Sequence, residues 1–548
     1  MRLRAAAWYL AVLVSLAAAM PPLALAASAS DQMPAGSAGS PLQQAQLRRF
    51  LAAPKAQQQA ATPETPEQKT ARLMESLKSN GPALYAFLKR MPKGTDLHVH
   101  ITGAVYAESY ARFAAGSHLC LELRTMTLIQ PPCKDGQVDA AQSLTNPVLY
   151  REMIDAWSMR DWHKAAESGH DHFFDAFYRF GAAVPGHLGE MLAEVLAQAA
   201  DGHVQYVELM LHPDDGQAMA LAAKVKWDNN FGFLRDKLMR AGMNDAVAQS
   251  RRNLDKYESE KDGILNCRER NRALVRAGCE VSVRYIYPVS RAGSPAQVYA
   301  QMLLAFELAR QDRRMVGVNL VQPEDWLVSM RDFQLQMRML NFLKEIYPDV
   351  HVTLHAGELV PGLAPPEGLR FHIREAIERG HAERIGHGVD VMYEEEPQEL
   401  LDLMKRLNVL VEINLTSNAV VLGVEGNQHP LQVYLKAGVP VALSTDDEGV
   451  LRSEITREYQ RAVEEQGLDY PALKKMVRNG MEHAFLPGQS LWADRQNFVP
   501  VRECASEKPS PRPASGACQK LLGGSEKARQ QWQLERALAD FESSVAAP

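Results

Sequence analysis

Metal-competent side chains recur at the ends of apolar runs in this chain. His98 and His100 form an H-x-H pair, His355 stands in HAGE, His387 in GHG, and Asp446 with Asp447 in STDD. Residues i and i+2 of a strand point to one face, so both imidazoles of the H-x-H pair can reach a single ion. Three imidazoles and a carboxylate suit a borderline divalent cation, with Zn2+ the default, one per chain. Each motif alone is weak. An H-x-H pair is more often ordinary surface or core histidine, and Asp446-Asp447 also reads as a turn or helix cap. The strength lies in the combination, because separate run ends each supply compatible chemistry.

The elements that would position these residues form a series. From residue 91 onward, apolar runs at 96–101, 204–212, 280–289, 315–321, 350–356, 384–387, 409–415 and 439–444 alternate with longer helical patterns such as 295–311, 366–378 and 395–407. Near-continuous hydrophobicity is what strands buried on both faces show. Eight such units predict an α/β fold, a (β/α)8 TIM-type barrel, whose strand ends open onto one mouth. The run 384–387 is short and is accepted because it completes the series. Residues 213–279 include a polar, helix-prone segment that reads as an insertion after the second strand. His170, His172 and His212 are further pocket candidates, with a structural role the commoner outcome for each; Trp157 and Phe173 are candidate apolar walls.

The chain has 548 residues, a formal net charge of −6, 46% hydrophobic and 23% charged residues. This is ordinary globular composition, and its weak acidity argues against nucleic acid as a main partner. Motifs of P-loop, dinucleotide-binding, serine-hydrolase and HExxH zinc chemistry do not occur. His381-Ala382-Glu383 matches the H-x-E of cytidine-type deaminases, but the accompanying P-C-x-x-C is missing.

The ends have their own signatures. Arg2 and Arg4, an apolar stretch to Met20, Pro21-Pro22 and Ala24-Leu25-Ala26 read as a signal peptide over 1–26, which predicts a secreted or periplasmic protein with no membrane span after processing. A single membrane anchor is the alternative. Residues 27–70 are rich in Ala, Gln, Ser and Pro and read as a linker. The barrel is expected over 71–490, and 491–548 as an extension without strands that ends in a helix over 525–545. Six cysteines fall into local pairs, so with an export signal the economical reading is Cys120–Cys133, Cys267–Cys279 and Cys504–Cys518 bridges. Buried free thiols are the alternative.

Taken in order, MPKGTDLHVHITGAV, YVELMLHP, HAGE, RIGHG, EINLTSN and HPLQVYLKAGVPVALSTDD resemble the adenosine deaminase family of metal-dependent aminohydrolases over about residues 91–490. The opening MPKG, the signal and the cysteines lean toward its secreted growth-factor-like branch or a bacterial periplasmic relative. The resemblance implies that His98, His100, His355 and Asp446 ligate zinc, that Glu358 shuttles a proton at purine N1, that His387 orients the attacking water and that Asp447 meets purine N7. Gly357 would then let backbone approach the substrate closely. Thr102 stands where many members carry a ribose-binding Asp, and the family's L-A-G-D-E reads Leu320-Val321-Gln322-Pro323-Glu324-Asp325, which weakens the inference about the sugar. The implied reaction is hydrolytic deamination of adenosine, and of deoxyadenosine, to inosine and ammonia. The alternatives are a deaminase of AMP, adenine or a modified nucleoside, and an extracellular signalling or binding protein on the same scaffold. Oligomeric state is left open.

Overall fold

The computed structural model describes residues 64–163, 167–513 and 515–547. The expected signal segment 1–26 and most of the expected linker lie outside the described residues. Part of that linker is helical: Pro66–Leu77 begins with a capping box between Thr65 and Gln68 and a proline in its first turn, the pattern that starts helices.

Eight parallel strands pair in chain order: β1 (Gly94–His100), β2 (Val204–Met210), β3 (Ser282–Ser290), β4 (Met315–Val321), β5 (His351–Ala356), β6 (Arg384–His387), β7 (Leu410–Ile413) and β8 (Val441–Leu443). The ring closes just beyond β8. There the His100 amide donates to the Asp446 carbonyl at 3.0 Å, and the Asp446 amide donates to the His98 carbonyl at 2.9 Å. The expected (β/α)8 barrel is therefore present, including the short sixth strand, whose four residues are all buried. Several expected runs extended too far at their C-terminal ends. Ile101 already opens the helix Ile101–Ala104, and Leu415 opens Leu415–Val421. Apolar character continues there because these first helical turns are buried too.

The helices follow their start signals. Pro295–Gln311 begins at a Ser294/Gln297 capping box, and Pro397–Leu407 carries a first-turn proline. The stretch expected as one helix over 366–378 divides into a 3-10 turn, Pro366–Leu369, and a helix, His372–Glu378. Residues 213–279 hold the helices Gln217–Ala223, Phe231–Ala241 and Met243–Ile264, and the last of these packs against Leu188–Asp201. Between β1 and β2, Cys120–Glu122 forms the middle of a small antiparallel sheet with Thr127–Ile129 and Gln137–Asp139. The three expected disulfides are all formed, Cys120–Cys133, Cys267–Cys279 and Cys504–Cys518.

The C-terminal extension departs from expectation. It contains two short antiparallel strands, Trp492–Asp494 and Val499–Pro500, too brief to leave an alternating pattern. Its final helix, Glu526–Ala546, lies against the strand starts. Gln205 donates to the Gln530 side chain at 2.7 Å, Gln530 donates to Ser282 at 3.0 Å, and Arg284 pairs with Glu526. The tail thus covers the end of the barrel opposite the mouth. Among the described residues, no helix is long and apolar enough to cross a membrane.

Candidate metal centre and active site

The mouth gathers the residues singled out in the sequence. His98 and His100 come from β1, His355 from β5, His387 is the last residue of β6, and Asp446 follows β8. His387 and Asp446 both adopt left-handed backbone, with φ of +67° and +62°. Such conformations cost about 1–3 kcal/mol each in non-glycine residues and concentrate at functional sites. The glycine before His387 is needed for space: a Cβ on Gly386 would lie 2.6 Å from the His98 ring.

The side chains converge on one point. His98 Nε2 lies 3.0 Å from His355 Nε2, and His100 Nε2 lies 3.2 Å from the same atom. Both His98 Nε2 and His100 Nε2 are 3.3 Å from Asp446 Oδ1. Donors bound at about 2.0–2.1 Å in a tetrahedron stand about 3.3 Å apart, and these four spacings are of that size. His387 is looser, with Nε2 3.8 Å from Asp446 Oδ2.

Buried neighbours set which nitrogens face the cage. His98 Nδ1 donates to Glu412 at 2.7 Å. Asn319 Oδ1 accepts the His355 backbone amide at 2.9 Å and lies 3.0 Å from His355 Nδ1. A backbone N–H can only donate, so that amide oxygen is the acceptor and His355 Nδ1 carries its proton. Both histidines therefore turn an Nε2 lone pair inward, the form that binds a metal. Burial alone would raise Glu412, but Arg384 and the hydrogen bonds from His98 and Thr353 pull it down to about 2. This keeps it an anion behind His98.

Glu358 lies at the edge of the cage, its Oε1 3.7 Å from His387 Nδ1. Burial, followed by the nearby charges of Asp446 and Glu324, pushes its carboxyl up to about 8. The loop that carries it is clamped by Glu324, which accepts the amides of Gly357 at 3.2 Å and Glu358 at 2.8 Å. Glu324 is in turn bonded by His372 at 2.5 Å. In the sequence Glu324 belonged to an altered substrate-binding segment; in the structure it holds the loop from behind. Gly357 also has a different reason to be glycine. Its φ is +73°, and a Cβ there would meet Asp390 at 2.3 Å and Ile373, so internal packing demands it.

The cage floors a cavity of about 320 Å³. Thr102, His212, Glu358 and Asp447 line it, and Phe173, Phe174, Phe177, Val184, Leu188 and Trp326 form an apolar rim. Burial and the adjacent Asp446 push the Asp447 carboxyl well up. Of the rim, only Phe173 was anticipated. The others on Gly169–Phe180 were signalled by the aromatic spacing of GHDHFFDAFYRF, a helix stripe that turns toward the mouth. Trp157 is buried elsewhere, donating its indole N–H to the Met126 carbonyl at 2.7 Å. His170 pairs with Asp325 and Asp171. His172 bonds Glu167 and the carbonyls of Asp155 and Ser158.

Fold and cage together define a (β/α)8 barrel with a candidate metal centre at its mouth. The adenosine deaminase family model matches residues 158–493, and the chain belongs to that family. The matched span holds His355, Glu358, His387 and Asp446, while β1 with His98 and His100 precedes it. Adenosine deaminase of Escherichia coli is 37% identical over 152 residues, which are 28% of this chain and 42% of that relative. The alignment thus spans less than half the length of the curated relative. Among solved structures, adenine deaminase from Arthrobacter aurescens is similar at 20% identity, covering 72% of this chain and 94% of that one, with a TM-score of 0.47. The N6-methyl-AMP deaminase from Arabidopsis thaliana is similar at 20% identity, covering 74% and 94%, with a TM-score of 0.47.

Proposed function

We propose that this chain is a zinc-dependent adenosine deaminase that converts adenosine, and its deoxy form, to inosine and ammonia. The observation that carries the reading is the cage of His98, His100, His355 and Asp446, with contacts of 3.0–3.3 Å, beside a nearly buried acid in an apolar cavity. The nitrogen-rich donor set and its spacings of 3.0–3.3 Å fit zinc. Zinc bound there would lower the pKa of water to about 7 and so supply a nucleophile at neutral pH.

The chain's own residues would do the rest. Glu358, protonated at neutral pH, gives its proton to purine N1 as the water oxygen bonds to C6, so negative charge does not build up in the ring. His387 holds the attacking water in line. Asp447 hydrogen-bonds purine N7. The new C6 hydroxyl then gives its proton, by way of the Glu358 carboxylate, to the amino nitrogen; the C6–N bond breaks, ammonia leaves and C6=O remains. Phe173, Phe174, Phe177 and Trp326 pack on the uncharged part of the nucleoside and keep bulk water out. A phosphate dianion against this apolar rim would lose hydration without a countercharge, which favours nucleoside over AMP. Export is proposed as well: the signal-like N-terminus supports it, and three disulfides suit an oxidising compartment.

The deciding assay offers adenosine, deoxyadenosine, adenine and AMP to the zinc-loaded full chain and follows ultraviolet absorbance and released ammonia. Adenosine and deoxyadenosine should turn over fastest. Faster ammonia release from AMP or adenine would replace the substrate, and none from any of the four would remove the activity.

A further inference from the structure

Four histidines crowd the cage, and spacing alone does not separate ligand from non-ligand: His98, His355, His387 and Asp446 can themselves be grouped as potential donors to one ion. A chain of buried hydrogen bonds separates them. It starts at the backbone amide of Leu431, which donates to His429 Nδ1 at 3.1 Å. A backbone N–H has no other role open to it, so His429 Nδ1 is unprotonated and the ring proton sits on Nε2. His429 Nε2 lies 3.0 Å from Asn418 Oδ1, so it donates there and fixes which end of the Asn418 amide is oxygen. The other end, Asn418 Nδ2, then donates to His387 Nδ1 at 2.9 Å. The Asn414 amide nitrogen is 3.4 Å from both ring nitrogens of His387. An atom equidistant from both cannot lie along either diverging lone pair, so the shorter Asn418 contact decides.

We propose that Asn418 and His429 are positioning residues that set the tautomer of His387, keeping its Nδ1 an acceptor and its proton on Nε2, toward Asp446. The inference rests on the deaminase reading for its consequence and on hydrogen-bond polarity for its substance. His98 and His355 present lone pairs to the cage because Glu412 and Asn319 accept their Nδ1 protons. His387 presents an N–H instead, because Asn418 donates to it. An imidazole with hydrogen on the inward nitrogen does not ligate a cation; it donates a hydrogen bond to an oxygen held in the cage. One amide orientation therefore makes His387 the group that holds the water and leaves the ligand positions to His98, His100, His355 and Asp446. Burial pushes His429 down to about 4, so the chain begins on a neutral ring. Asn418 and His429 belong to EINLTSN and HPLQ, motif segments for which the reaction itself supplies no role.

The test reads protonation directly. The zinc-loaded full chain is labelled with nitrogen-15 in its histidine rings, and the His387 signals are assigned by their loss in His387→Gln. Wild type should show hydrogen on Nε2 of His387. Asn418→Asp places an acceptor against Nδ1, so the proton should move to Nδ1 and kcat should fall by about 10²–10⁴ with little change in KM, the size of effect a misplaced acid–base proton has. His429→Gln keeps an N–H facing Asn418 and should retain the wild-type tautomer and most of the turnover. His429→Glu inverts the polarity and should reproduce Asn418→Asp. A wild-type His387 protonated on Nδ1, or an Asn418→Asp chain with its His387 proton still on Nε2, would overturn the proposal. If Asn418→Asp fails to fold, His429→Glu decides: a His387 proton moved to Nδ1 supports the proposal, and one still on Nε2 overturns it. Absence of adenosine turnover in wild type would sink the substrate reading yet leave the tautomer measurement standing.

Discussion

His98 and Glu412 are joined at 2.7 Å inside the barrel, and both are fully buried. Glu412 is held from its other oxygen by Arg384 at 2.5 Å, and Arg384 also pairs with Glu208 at 2.7 Å. The line from Glu208 through Arg384 and Glu412 to His98 crosses the barrel interior and ends at the cage. Glu412→Gln should therefore weaken metal binding by about 10–100-fold, the usual effect of losing the partner behind a ligating histidine. Zinc content after dialysis at graded free-metal levels measures this. Unchanged affinity would mean that His98 orients itself.

Glu358→Gln should retain zinc and lose at least about 10²–10⁴ in kcat. The pH profile supplies the sign. A carboxyl raised to about 8 donates its proton below that pH and cannot donate above it. Turnover should therefore fall on the alkaline side as pH rises through the folded value, and Glu358→Gln should flatten that limb. A wild-type profile that keeps rising across this range would remove Glu358 as the acid.

Dialysis against a strong chelator should abolish turnover and lower the melting temperature, and zinc should restore both, because a ligand that binds only the folded form adds its binding energy to stability. Asp446→Ala should lower metal content and turnover together. Activity that survives complete metal removal would refute metal dependence.

Replacing Cys504 and Cys518 by serine should cost about 3 kcal/mol in guanidinium unfolding, the value expected for a loop of this length. Turnover at low temperature should persist, since this bridge belongs to the tail that covers the strand starts, away from the mouth. Equal loss of stability and catalysis would show that the tail reaches the active site.

The cage residues were legible because each marks the end of an apolar run, where a polar side chain has nowhere to go but the mouth. Their supports were not. Glu208, Arg384 and Glu412 each stood as a lone charge within an apolar strand, which announces a buried partner without naming it. Only the strand order brings the three together. The role of Glu324 was hidden for a similar reason, since its sequence neighbours line the pocket while its own carboxylate turns back to the amides of Gly357 and Glu358. The final helix was visible in its periodicity, but no pattern in one segment specifies that its buried face meets the starts of β1–β3.

The hydrogen bonds that close the barrel, between His98, His100 and Asp446, join the same residues that supply three of the four cage donors. The seam of the cylinder and the ion site are one place. An ion seated there would act as a clasp, fastening the first and last staves of the ring across a chain separation of well over three hundred residues. Emptying it would loosen the ring at its weakest joint, so metal supply would govern how long the folded molecule lasts as well as how fast it turns over.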